Sequence, residues 1–350
     1  MLKNNDRLKL LEGLKKVSPG TILREGIENI VQARAGSIIV LSNLKKVRKI
    51  FNGGFRIDCK LTPSRLYELS KMDGALILNE DGSKIIYANT HLFPNPRIST
   101  TETGIMHQTA ERVAKQIDVV VLAISKNRNI VTLYLGNLKY DLRDIGLILD
   151  EANSALESLE KYRDDFNKQL NELNFLEMKG MVTLYNVVTI WQIAEMSKMF
   201  DGEIKKYLYE LGTEGRLIQM QLFQIMNKIN ENVFYLIKDY LLDINKFNVI
   251  MKMVSNLSHK KIANINKLAE ILGFSPPPVY LDKIVYPRGY RVLSALTKLP
   301  KQLIENIIEK FKNLDTIKKL SINELSEVEG IGKVRARVIV NSLNRISKHS

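Results

Sequence analysis

Residues 71–96 read KMDGALILNEDGSKIIYANTHLFPNP, and this stretch decides the fold of the first part of the chain. Asp73-Gly74-Ala75 leads into an apolar run, Asp81-Gly82 supplies a tight turn, and Lys84 to Asn89 runs back. The pattern predicts a β-hairpin with a carboxylate at its entrance. Beyond a loop punctuated by Pro94 and Pro96, residues 101–116 read TETGIMHQTAERVAKQ. Thr101 or Thr103 is expected to cap a helix whose first turn carries His107. A strand, VVVLAIS, then ends at Ser125-Lys126-Asn127-Arg128. Acid, imidazole, hydroxyls, glycine backbone and cations thus converge, a set suited to a nucleotide and a metal.

Working outward, residues 1 to about 35 read as two helices broken at Pro19-Gly20, the second starting at Thr21. SIIVLS is a short buried strand, LKKVRKIF a helix stopped by Gly53-Gly54, and FRIDCKL a strand containing Cys59. Thr62 caps a helix with Pro63 at its first position. NIVTLYLGNLKYDL reads as two strands joined at Gly136-Asn137. Strands and helices alternate but hairpins intervene, which predicts a mixed β-sheet flanked by helices.

From Leu147 the character changes. Leu149, Ala152, Leu156, Leu159, Tyr162, Phe166, Leu170 and Leu173 recur every three or four residues, a long amphipathic helix ending at Gly180. Helical segments continue to about residue 270, those over 182–200 and 202–212 read as separate, with Trp191 and the methionines expected in the core. Ser275-Pro276-Pro277-Pro278 marks a break. Short helices come next, closing on Val328-Glu329-Gly330-Ile331-Gly332-Lys333. The expected domains are therefore residues 1–146, an all-helical middle over 147–278, and a C-terminal module over 279–350.

The chain has 350 residues, 45% of them hydrophobic, and no apolar run approaches a membrane span. Its N-terminus lacks a signal-peptide pattern and it has one cysteine, so a cytoplasmic protein without an internal disulfide is expected. The net charge of +14 is uneven: residues 283–350 carry 14 Lys and Arg against 6 Asp and Glu, a net of +8. Such a basic end points to a polyanion. A solvated lysine-rich surface is the plainer reading of the charge taken alone.

The words MDGA, the HL-P-P loop, TG-x-x-H-x-TAERVAKQ and AIS-x-x-RN resemble, in order and spacing, the diadenylate cyclase domain of the DNA integrity scanning family. That resemblance implies condensation of two ATP into cyclic di-AMP with release of two pyrophosphates, an obligate homo-oligomer (an octamer in the family), and Mg²⁺ or Mn²⁺ held by Asp73. It implies Asp73 as the catalytic carboxylate, Gly74 and Ala75 against the nucleotide, Leu92 on adenine, Thr109 and Ser125 on phosphate oxygens, and Lys126 and Arg128 offsetting charge. The family's second signature is Arg-His-Arg, whereas this chain has Met106-His107-Gln108; the resemblance implies that Ile105, Met106, His107, Gln108 and Thr109 line the phosphate pocket of the bound nucleotide. Two lost charge-assisted hydrogen bonds are worth about 3 to 6 kcal/mol, or roughly two to four decades in rate. The alternative is therefore a DNA-binding oligomer that keeps nucleotide or cyclic di-AMP but no longer makes it.

The turn at Gly330-Ile331-Gly332, with Lys333, Arg335 and Arg337 just beyond it, resembles a helix-hairpin-helix DNA-binding motif. Glycines let the backbone approach a phosphate, and the next helix presents its positive dipole end with cations beside it. Such contacts grip backbone, so binding to duplex or branched DNA would be sequence-independent and salt-sensitive. Glu327 and Val334 rule out a P-loop.

Overall fold

The computed structural model describes residues 4–126, 130–254, 264–274, 281–297 and 299–349. Two compact units emerge: residues 1–153 with 205–219, and residues 154–204 with 220–350.

The first unit is built on one mixed sheet. Its strands are β1 (Ser37–Leu41), β2 (Phe51–Asn52), β3 (Phe55–Lys60), β4 (Ala75–Leu78), β5 (Lys84–Leu92), β6 (Val120–Ile124), β7 (Val131–Leu135) and β8 (Leu138–Asp141). They lie in the order β2-β5-β4-β1-β6-β7-β8, with β3 also on β5. Only β1 and β4 pair in parallel, Ile39 opposite Leu76 and Leu41 opposite Leu78; the other pairings are antiparallel.

Alternation along the strands makes two cores. Ile39, Leu41, Leu76, Leu78, Leu122 and Leu133 face helices α1 (Asn4–Lys16), α2 (Ile22–Gln32) and α4 (Pro63–Ser70). Val40, Ile77, Val121, Ala123 and Tyr134 face α5 (Ile105–Ile117) through Ala110, Val113 and Ala114. The expected mixed sheet with flanking helices is present, as are the caps at Thr21 and Thr62.

Two local expectations fail. LKKVRKIF is helical only over α3 (Leu44–Val47), because Phe51 is drawn into β2, opposite Leu92 and with its ring 5.1 Å from that of Tyr87. Neither Thr101 nor Thr103 caps α5: Gly104 holds that position without a side-chain hydrogen bond, while Thr100 and Thr101 bond to Glu111 instead.

The helical segments beyond the sheet are longer than their sequence punctuation suggests. α6 spans Ile145–Lys179, α7 Leu184–Leu211 and α8 Arg216–Tyr240; Asp201-Gly202 does not interrupt α7. Trp191 is fully buried. In the second unit the helices Tyr290–Thr297, Lys301–Phe311, Leu314–Lys318, Ile322–Ser326 and Lys333–His349 share a core that includes Leu293, Ile307, Leu325, Ile331, Ala336 and Ile339. The proline break at 275–278 lies outside the described residues. No helix among the described residues is long and apolar enough to cross a membrane.

Candidate functional site

An open cleft of about 510 Å³ lies where the first residues of β1 and β4 meet the end of β5 and the start of α5. Its size suits a nucleotide-scale ligand. It is lined by Gly36, Ser37 and Ile38, by Asp73, Gly74 and Ala75, by Thr90, His91, Leu92 and Phe93, and by Ile105, Met106 and Thr109.

The hairpin predicted over residues 73–92 forms one wall. Gly74 is buried there and its N–H donates to Asn89 Oδ1 at 3.1 Å. A Cβ on Gly74 would stand 2.3 Å from the Asn89 carbonyl carbon and 2.5 Å from the Thr90 nitrogen. The close neighbour that demands glycine is thus the β5 backbone. Thr90, also buried, donates its hydroxyl to the Ala75 carbonyl at 2.8 Å and locks the strand ends together. Asp73, one residue before, is exposed at the mouth.

The opposite wall is α5, whose polar residues hold the preceding loop. The Glu111 carboxylate, 7% exposed, accepts from the Thr100 hydroxyl and from Thr101 N–H, and pairs with Lys115 at 2.7 Å. Arg112 donates to the Ile98 carbonyl, Lys115 to that of Ser99, and Gln116 accepts from Asn95 N–H. Within TAERVAKQ, Glu111, Arg112, Lys115 and Gln116 are therefore loop fasteners, Ala110, Val113 and Ala114 belong to the core, and Thr109 lines the cleft. Burial pushes the Glu111 carboxyl up, but Lys115, Thr100 and Thr101 together hold it below its ordinary range.

Met106, His107 and Gln108 diverge. Met106 lines the cleft while packing on the Val40 and Ala110 core. His107 Nδ1 shares a 2.9 Å hydrogen bond with the buried Tyr134 hydroxyl. Gln108 donates to the Glu102 carbonyl at 2.9 Å. Neither His107 nor Gln108 lines the cleft. Glu102 pairs with Lys139 at 2.6 Å. Burial raises the Glu102 carboxyl, yet Lys139, Tyr134 and His107 bring it below its usual value. Burial and Glu102 push the Tyr134 hydroxyl far up, so it stays protonated.

Ser125 and Lys126 do not line the cleft, although the Lys126 Cβ lies 3.5 Å from where a Cβ on Gly36 would stand. Arg128 lies outside the described residues. Sequence reasoning missed Ser37 and Phe93. The available signals were a lone hydroxyl opening a buried strand and an aromatic between Leu92 and Pro94.

The cleft's donors suit a hard divalent cation in one manner only. Among the described residues no three His, Cys, Asp or Glu side chains cluster as a metal cage. Asp73 supplies a single carboxylate, which is what Mg²⁺ or Mn²⁺ carried by a nucleotide requires, phosphates and water completing the shell.

In the second unit, the turn at 330–332 joins helices Ile322–Ser326 and Lys333–His349. Gly330 has φ +83°, a left-handed conformation that favours glycine. Ile331 is buried in the module core, whereas Gly332, Lys333, Arg335 and Arg337 are exposed. Ala336 N–H bonds back to the Gly332 carbonyl, so the first amides of this helix have no partner within its own turn. Arg335 donates to the Gly330 carbonyl at 2.9 Å, bracing the turn.

Comparison with known proteins agrees with this geometry. Residues 24–138 match the family model for the nucleotide-binding region of the DisA bacterial checkpoint controller, and residues 142–279 match the model for its linker region. The DNA integrity scanning proteins DisA of Bacillus mycoides (strain KBAB4), Bacillus thuringiensis (strain Al Hakam) and Bacillus cereus (strain B4264) are each 45% identical to it over 351 residues. Each alignment covers 100% of this chain and 98% of the relative. Motif words, sheet and full-length similarity converge, and the chain belongs to the DisA family of DNA integrity scanning proteins.

Proposed function

We propose that the protein is a cytoplasmic, metal-dependent diadenylate cyclase that condenses two ATP into cyclic di-AMP. Its C-terminal module, residues 279–350, would hold the DNA backbone, and the middle helices over 147–278 would carry the signal. The observation that carries this reading is the cleft joining Asp73-Gly74-Ala75 to Leu92 and Thr109 within the stretch matched by the nucleotide-binding model.

Each 3′-hydroxyl attacks the α-phosphorus of the other nucleotide, forming one P–O bond and expelling one pyrophosphate. Bound Mg²⁺ or Mn²⁺ would supply charge neutralisation at the phosphates. Asp73, exposed at the mouth, would hold that ion and orient the attacking hydroxyl or accept its proton. Thr109 and Ser125 would donate to phosphate oxygens, Leu92 would pack on the base, and Lys126 and Arg128 would offset the triphosphate charge. One cleft of this size accommodates one ATP, so two copies must face each other, within the octamer that the family resemblance implies.

A second reading has its own support. None of the described residues lining the cleft is Lys or Arg. A cleft so poor in charge fits a protein that retains nucleotide without turning it over rapidly. Incubation with ATP and Mn²⁺ or Mg²⁺, with the product identified by mass, separates the two. Cyclic di-AMP formed far faster than by Asp73→Asn supports the cyclase; no product with ATP still bound supports the second reading. For DNA, the exposed cations after Gly332 support phosphate contact. Lys333→Glu with Arg335→Glu should abolish binding to duplex and branched DNA, and unaltered binding would remove the hairpin from the proposal.

A further inference from the structure

Tyr134 stands on β7 directly opposite Lys139 of β8, buried on the sheet face that packs against α5. A polar chain runs through its hydroxyl. Glu102 pairs with Lys139 at 2.6 Å and also accepts from Tyr134, while His107 Nδ1 lies 2.9 Å from the Tyr134 oxygen. The protons of this chain can be counted. The Lys139 ammonium only donates, and Glu102, held below its usual range, is an ionised carboxylate at neutral pH and only accepts. Tyr134 keeps its single proton, and that proton is given to Glu102. The Tyr134 oxygen must therefore accept in its bond with His107. The hydrogen is carried by Nδ1, which leaves Nε2 as the acceptor of the neutral ring.

This chain ends at the edge of the cleft. His107 sits in the first turn of α5 between Met106 and Thr109, both of which line the cleft. Gly104 gives that helix no side-chain cap. Its start is held instead by His107 on Tyr134 and by Gln108, which donates to the carbonyl of the same Glu102. Glu102 thus fixes the turn through both its carboxylate and its carbonyl. Burying a carboxylate and a phenol costs free energy that an apolar contact would not, but a fully bonded chain specifies one ring orientation where apolar packing allows several.

We infer that Tyr134 is a positioning residue of the nucleotide site: it locks His107 with its hydrogen on Nδ1 and, through that ring, sets the first turn of α5 so that Thr109 meets the phosphates. This rests on the nucleotide reading above and goes beyond it, since Tyr134, Glu102 and Lys139 all lie behind the cleft and do not line it.

The test reads the ring and the ligand separately. Solid-state ¹⁵N spectra of protein labelled at its four histidines report which nitrogen of each ring carries hydrogen, His107 being assigned by the signals missing from His107→Gln. At about pH 8, where an unperturbed imidazole is neutral, the unaltered protein should show hydrogen on Nδ1 of His107. Tyr134→Phe keeps the ring but not the hydroxyl, and the Nδ1–H form should no longer dominate. Glu102→Ala should invert the chain: without the carboxylate the Tyr134 proton turns to Nδ1, and the imidazole carries its hydrogen on Nε2. Calorimetry with ATP should find binding about 3- to 10-fold weaker in Tyr134→Phe. A merely structural tyrosine would lower the melting temperature and leave both the His107 spectrum and the ATP affinity unchanged. Nδ1 without hydrogen in the unaltered protein, or Nδ1–H retained in Glu102→Ala, overturns the lock. Unchanged ATP affinity in Tyr134→Phe overturns the positioning role. Each of these results leaves the nucleotide reading intact, whereas failure of the unaltered protein to bind ATP overturns both.

Discussion

Glu111 in the sheet-bearing unit and Glu177 in the helical unit are both buried carboxylates that fasten chain to chain, but under different conditions. Glu111 holds a loop beside an open cleft, and its partners are a hydroxyl, a backbone amide and a lysine on its own helix. Glu177, near the end of α6, is sealed with Arg291, which is 3% exposed, and also accepts the Tyr240 hydroxyl at 2.7 Å. Around that pair, helix ends are capped reciprocally. Asp239 accepts from the amides of Gly289, Tyr290 and Arg291 at 2.7 to 3.0 Å, Arg288 donates to the carbonyls of Lys238, Asp239 and Leu242, and Lys318 to those of Glu177 and Met178. Residues 288–318 are thus wired to the ends of α6 and α8 by charge on helix termini. The first arrangement shapes a site that a ligand must enter; the second keeps water out and unites the segments it joins.

The contrast breaks most visibly at Arg291. Burial already pushes the Glu177 carboxyl up, with Arg291 the main opposing influence. Arg291→Met strands that carboxylate and should cost about 3 to 5 kcal/mol in the stability of the second unit. Urea unfolding monitored by Trp191 emission measures it. The double variant Arg291→Met with Glu177→Met should recover most of the loss, because an apolar pair needs no compensation. If the double variant is as unstable as the single one, the bond network rather than the stranded charge holds the junction.

At Glu111 the expected effect is smaller and depends on pH. Glu111→Gln forfeits charge-assisted bonds to Thr100, Thr101 and Lys115, about 1.5 to 3 kcal/mol. The folded carboxyl lies below its ordinary value of 4.5, so this stabilisation is present above that value and is lost as pH falls through the lower, folded one. Melting temperatures of the two proteins should therefore differ at pH 7 and converge as the solution is acidified below 4.5. A constant difference across that range would mean that packing, and not the charge of Glu111, fastens the loop.

Legibility in the sequence tracks the reach of each interaction. The hairpin at 73–92 was legible because Asp81-Gly82 and the two apolar runs are adjacent, and Thr62-Pro63 because a cap is local. The first wall of the cleft was legible for the same reason, since Asp73, Gly74 and Leu92 belong to one hairpin. Ser37 was not: it lines the cleft because β1 lies between β4 and β6, which no local spacing reveals. Glu111 was legible only as part of a family word, and its task depends on Thr100 and Thr101 folding back ten residues. The LKKVRKIF helix was overestimated because the pull of Leu92 on Phe51 comes from 41 positions away. Helix continuity through Asp201-Gly202 was hidden likewise, since one glycine costs about 1 kcal/mol in a helix and tertiary packing exceeds it.

The family signature at 106–108 sharpens the comparison at its smallest scale. Only Met106 faces the cleft; Gln108 is a fastener like Glu111, with one neutral hydrogen bond to the Glu102 carbonyl. The two positions should therefore respond differently to arginine. Met106→Arg places a guanidinium at the cleft and should tighten ATP by about tenfold, near 1.4 kcal/mol. Gln108→Arg should leave ATP affinity within about threefold and cost about 0.5 to 1.5 kcal/mol of stability, the worth of the bond it breaks. Calorimetric titration with ATP and thermal melting of each single variant decide the matter. Should Gln108→Arg tighten ATP as much as Met106→Arg, then residue 108 reaches the nucleotide, and the division of this helix turn into one cleft residue and two fasteners is wrong.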